Sequence, residues 1–100
     1  MTTALSLTSG SRPDGAPVLT VAGEIDMSNA AEFAAALSDA VARAGDAAVV
    51  VDLTGVEYLD SAGLAALFAQ ADRLQVVTGP LLAPLLEVSG LAELTAIHRA

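Results

Sequence analysis

The sequence predicts an α/β fold: a mixed β-sheet of about four to five strands with helices packed on it, in the order β-β-α-β-α-β-α-β. Three observations carry this. Ala47 to Val51 is an unbroken apolar run, the pattern of a strand buried on both faces. Two stretches with helical spacing, around Phe33 to Ala44 and Leu64 to Ala71, alternate with short extended runs. Only 3% of the residues are aromatic, so the core must be built of thin Ala/Leu helices on a sheet of branched side chains.

The elements follow in order. Ala4 to Thr8 alternates, with Leu5 and Leu7 on one side, and reads as a short strand. Ser9 to Pro17 contains Gly10, Pro13, Asp14, Gly15 and Pro17 and reads as a loop. Val18 to Ile25 alternates again, with Leu19, Val21, Gly23 and Ile25 on one face, so the two strands form a hairpin. Ser28 or Asn29 caps the next helix, and Asn29 with Glu32 approximates a capping box. Phe33, Leu37, Ala40, Val41 and Ala44 keep the 3.6 period until Gly45 stops it.

Asp46 to Leu53 is the third strand, and a short polar turn follows. The second helix is expected from Ala62 to Arg73, with Leu64, Leu67, Phe68 and Ala71 as its apolar stripe. Leu74 to Val77 is a short strand, broken by Thr78-Gly79-Pro80. Leu81 to Val88 is a third helix, in which Pro84 fits only within the first turn. Its leucines cannot all face the sheet, so Leu82 or Leu85 is expected at the surface. Gly90 ends the helix, Leu91 to Leu94 makes a turn, and Thr95 to His98 is a last strand. Residues 1–100 show no repeat and no linker, and one domain of this size buries roughly two thirds of its unfolded surface.

Composition excludes several functions. The formal charge is −8, with four arginines and no lysine. Nucleic acid and anionic membrane surfaces are poor partners for such a chain, and a basic protein surface is a compatible one. The absence of cysteine rules out disulfides, thiol chemistry and a cysteine zinc site. Met1 to Gly10 has neither a positive start nor an apolar core, and no apolar run approaches the length of a bilayer span, so a cytoplasmic protein is expected.

Enzyme readings fail on missing parts. A phosphate-binding P-loop needs its lysine, and so does a receiver domain that holds an acyl phosphate on aspartate. A serine hydrolase needs a base, and the single histidine, His98, reads as an exposed edge-strand residue. Leu59 stands where a nucleophile elbow would have its first glycine. Glu24, Asp26 and Asp60 fall near strand ends, where α/β sheets carry their sites, and can gather around Ser61. Two carboxylates such as Glu24 and Asp26 make no metal cage, and no cofactor is expected.

Ser61 is the most informative residue. It sits where a helix N-cap belongs, at the start of Asp60-Ser61-Ala62-Gly63-Leu64. A helix N-terminus also suits an added phosphate. Ala62 and Gly63 are read as a bare platform of small residues that lets another protein approach the hydroxyl.

Gly23-Glu24-Ile25-Asp26 after a strand, then Val50-Val51-Asp52-Leu53-Thr54-Gly55-Val56, then Asp60-Ser61-Ala62-Gly63-Leu64, resemble a STAS domain, and more narrowly the bacterial anti-anti-sigma factors. Leu86-Glu87-Val88-Ser89-Gly90-Leu91 also matches the end of that family's third helix, and the likeness spans Ala4 to His98. It implies a non-enzymatic partner switch. Unphosphorylated, such a domain binds a kinase-fold anti-sigma factor and frees the sigma factor. Phosphorylation of the serine mapping to Ser61 ends the complex, and a phosphatase restores it. Asp26, Ser28, Asp60, Ala62, Gly63 and Leu64 would form the contact. The second helix is shorter than the family pattern and the third is apolar, so an exposed strip there could be a second contact or convert the expected monomer into a dimer. Two other uses are open: a phosphorylation-independent STAS module, such as a small subunit on a transporter ATPase, and a regulator binding a nucleotide or lipid near Asp26 and Asp60.

Overall fold

Hairpin pairing organises the start of the chain. In the computed structural model, which describes residues 4–100, strand β1 (Ser6–Ser11) runs antiparallel to β2 (Pro17–Ile25). The predicted hairpin is present, but its first strand lies later than Ala4 to Thr8. Ladder bonds from Pro17 to Ala22 hold even the polar Ser9-Gly10-Ser11 extended, and the loop shrinks to residues 12–16. There Asp14 accepts from the Ala16 N–H at 2.9 Å and pairs with Arg12. The first three residues of the stretch read for a leader lie outside the described residues.

Helix α1 (Ala30–Ala44) follows, then β3 (Val49–Leu59), α2 (Ser61–Ala69), β4 (Leu74–Thr78), α3 (Ala83–Val88) and β5 (Ala96–Arg99). Short 3₁₀ turns at Ala71–Arg73 and Leu91–Glu93 complete the path. The sheet order is β1-β2-β3-β4-β5, and β2 to β5 are all parallel neighbours. Right-handed crossovers between sequential parallel strands place α1, α2 and α3 on the same face. Leu19, Val51 and Val76 are in register across that face, beneath Phe33 and Leu37 of α1, Leu67 of α2 and Leu86 of α3, all buried. Val49, Val50 and Val51 are all buried, as the apolar run predicted, but β3 begins at Val49 rather than Asp46, and Ala47 is exposed and Ala48 half-buried before it. The opposite rows, such as Thr20-Asp52-Val77-His98, are partly or fully exposed.

Strand β3 runs six residues past the predicted end at Leu53. Asp52-Leu53-Thr54-Gly55 has turn chemistry, and Asp52 Oδ1 does accept from the Thr54 N–H and hydroxyl, at 2.9 and 2.7 Å. The local turn is absorbed as a β-bulge: pairing with β2 shifts register between Thr20 and Ala22 and again between Gly23 and Glu24. Gly23, at φ 92°, supplies the backbone that the second shift needs.

Two helix boundaries also moved. The second helix ends at Ala69 rather than Arg73, because Ala71-Asp72-Arg73 tightens into a 3₁₀ turn. The Arg73 guanidinium there donates to the carbonyls of Gly45 and Ala47, tying the end of α1 to the entry of β3. The third helix begins at Ala83, with Pro84 in its first turn as the ring requires. Leu82 is buried and Leu85 exposed, beside exposed Leu81 and Val88. Among the described residues, no helix is long and apolar enough to cross a membrane.

Candidate functional site

The carboxyl ends of β2 and β3 lie side by side, with Ile25 opposite Leu59, at the edge where parallel sheets carry their sites. The Asp60 N–H donates to the Ile25 carbonyl at 3.1 Å and joins the two exits. One exit is the β2–α1 loop, residues 26–29; the other is the start of α2.

The loop is locked from within. Asp26 Oδ1 accepts from the Ser28 N–H at 2.9 Å and from the Ser28 hydroxyl at 2.5 Å. Asn29 is the N-cap of α1, but the expected capping box does not form. Its side chain turns back instead, accepting from the Asp26 N–H at 3.0 Å and donating to the Glu24 carbonyl at 2.9 Å. Because Asx-type bonds compete with helix capping, the same side chain serves the turn. The Ser28 hydroxyl, and then its N–H, hold the Asp26 carboxyl below its ordinary value of 3.8. Ser28→Ala is therefore expected to move the Asp26 midpoint up, read by carboxyl-carbon NMR titration. A lowered folded-state value makes this contribution to stability present above 3.8 and lost as pH falls through the folded value.

At α2 the cap is shifted by one residue from the prediction. Asp60, not Ser61, is the N-cap, and its Oδ1 accepts from the N–H groups of Ala62 at 2.9 Å and Gly63 at 3.2 Å. Aspartate caps as well as serine and adds a favourable charge at the dipole. Ser61 is the first helical residue, exposed and outside the cap. Asp60 Oδ2 reaches the other exit and accepts from the Met27 N–H at 3.1 Å.

The platform of small residues is also corrected. Gly63 is buried, and a Cβ there would stand 2.7 Å from Ile25 Cγ2 and overlap Leu59 Cδ1. Its missing side chain lets α2 settle onto the sheet and does not bare the surface. Ala62 and Leu64 are half-buried, and Leu64 packs on the core. The exposed large side chains on the two exits are instead Met27, 83% exposed and bonded through its N–H to Asp60, and Tyr58, 50% exposed near the end of β3. Neither was singled out from sequence, although alternation beside the buried Leu59 points Tyr58 outward.

Glu24, Asp26, Ser28, Asn29 and Glu32 line an open cleft of about 370 Å³ with Ala4 and Leu5. Glu24 and Asp26 thus share one cleft, whereas Asp60 is not in its wall and meets the loop at Met27. Among the described residues, no group of three or more His, Cys, Asp or Glu side chains is placed to hold a metal. His98 is exposed on the edge strand β5, two strands from β3, and cannot serve Ser61 as a base. All four arginines are engaged elsewhere: Arg12 with Asp14, Arg43 with the Asp39 carbonyl, Arg73 with Gly45 and Ala47, and Arg99 with Glu87.

Known proteins share this fold. The chain is 39% identical over 61 residues to the anti-sigma-F factor antagonist RsfB of Mycobacterium tuberculosis; the match covers 61% of this chain and 49% of the relative, so the chain spans about half the length of that curated protein. A crystal structure of an anti-sigma factor antagonist from Mycobacterium paratuberculosis superposes with a TM-score of 0.84 at 30% identity, over 95% of this chain and 86% of that one. The anti-sigma factor antagonist SpoIIAA in its unphosphorylated form shares the fold, with a TM-score of 0.71 at 17% identity over 97% and 88% of the two chains. A family model described as "Mlab, STAS domain" matches residues 9–96. The chain belongs to the STAS domain family.

Proposed function

We propose that this chain is an anti-sigma factor antagonist without enzymatic activity of its own. In its unphosphorylated form it binds a kinase-fold anti-sigma factor in the cytoplasm and releases the sigma factor. Phosphorylation of Ser61 by that partner switches it off, and a phosphatase resets it. The observation that carries the reading is Ser61 itself: an exposed hydroxyl at the first position of α2, freed of capping by Asp60. Family membership and the likeness to anti-sigma factor antagonists support it.

The chemistry is consistent. The nucleotide belongs to the partner, and this chain offers only an acceptor and a docking face. Ser61 follows Asp60, which accepts from the N–H of the exposed Met27, and the net charge of −8 suits a basic protein surface. Incubation with kinase-fold anti-sigma factors and ATP, followed by intact-mass measurement, tests the reading. One added phosphate is expected on the wild-type chain and none on Ser61→Ala. No phosphate with any such kinase, together with tight binding to a transporter ATPase, would favour the phosphorylation-independent module.

A further inference from the structure

We propose that Asp60 is a positioning residue that clasps the β2–α1 loop to α2, so that Met27 and Ser61 are presented as one rigid docking face. Its contribution to docking rests on the function proposed above; the clasp itself does not.

Each carboxylate oxygen of Asp60 has a different task. Oδ1 takes the two free N–H groups of the first turn of α2, and Oδ2 takes the Met27 N–H, 33 residues away in sequence. Further bonds of the loop stay within it, run to Glu24 or enter the first turn of α1, as between Asp26, Ser28, Asn29 and Ala30. The Asp60 side chain therefore joins two elements that are each locally ordered; beside it the Asp60 N–H donates to the Ile25 carbonyl, and Ile25 packs beneath Gly63. Three of the roughly four acceptor directions of this carboxylate are taken by backbone N–H groups, which leaves little of it for a partner. It acts by fixing where Met27, 83% exposed, stands relative to the hydroxyl.

Cap and clasp are separable. In Asp60→Ser the hydroxyl can cap α2, but one oxygen on a shorter side chain cannot also reach Met27. In Asp60→Asn the amide oxygen keeps the cap and its NH₂ group faces the Met27 N–H, donor against donor. Amide hydrogen exchange by NMR is expected to show Met27 exchanging roughly tenfold faster in both variants, as loss of one charge-assisted bond implies, with its proton resonance moving upfield. Ala62 and Gly63 are expected to stay within about threefold of wild type. Unchanged Met27 exchange in both variants would overturn the clasp, and should Asp60→Ser perturb the whole fold, Asp60→Asn decides. The second reading uses a kinase-fold anti-sigma factor that phosphorylates the wild-type chain. Both variants are expected to bind it about tenfold more weakly with Ser61 intact, and lost Met27 protection with unchanged affinity would overturn the positioning role. The NMR arm needs no partner, so it decides the clasp even if the proposed function fails.

Discussion

Phosphorylated on Ser61, the domain is expected to lose at least about a hundredfold in affinity for the proposed kinase-fold partner, about 2.7 kcal/mol. The added group carries roughly −1.5 to −2 charges, in a chain of net charge −8 and beside Asp60. None of the four arginines is free to compensate it. In the free domain the phosphate rests on the start of α2 in contact with water, at little conformational cost. In the complex it must shed that water opposite a partner that has just kept the nucleoside diphosphate, and an unpaired buried charge costs several kcal/mol. Ser61→Ala, which keeps the surface neutral and small, is expected to bind within about threefold of wild type. Ser61→Asp should fall between the two. Calorimetry or surface plasmon resonance on the four forms checks this, and equal affinities would end the switch model.

The second large effect is on stability. Gly63→Val is expected to destabilise the fold by about 3 kcal/mol, since overpacking a filled site costs about 1–3 kcal/mol and the new side chain is β-branched. It would drive methyl groups into Ile25 and Leu59, both buried, with Ile25 stiff at its own branch point. For a domain of this size each kcal/mol moves the melting temperature by about 4–8 °C, so a fall of more than about 12 °C is expected in thermal unfolding. Gly63→Ala should cost less, about 1 kcal/mol, because alanine's helix propensity offsets part of the overlap. A Gly63→Val variant melting within about 3 °C of wild type would show that α2 does not depend on this close approach.

What was legible in the sequence is what periodicity and turn chemistry encode. Phe33, Leu37 and Ala40 kept one helical face, and each is buried. Leu19, Val21 and Ile25 kept one strand face, and each is buried. The tail of β3 was not legible, because Asp52 and Thr54 make a local turn that only pairing with β2 overrides. The cap was misplaced by one residue because aspartate and serine stand adjacent and both satisfy the same amides. The role of Gly63 needs Ile25, which the fold brings beneath it from another strand. Ser61 stands out through its motif and Tyr58 through alternation beside Leu59, whereas the place of Met27 needs its bond to Asp60, 33 residues on.

The order of the strands has an evolutionary consequence. Every strand after the hairpin is laid beside its predecessor, so the proposed docking seam falls to the second and third strands and the last-added edge lies furthest from it. Descendants can therefore remodel α3 and β5, and with them the exposed Leu81, Leu85 and Val88, to change accessory contacts while Ser61 keeps its setting.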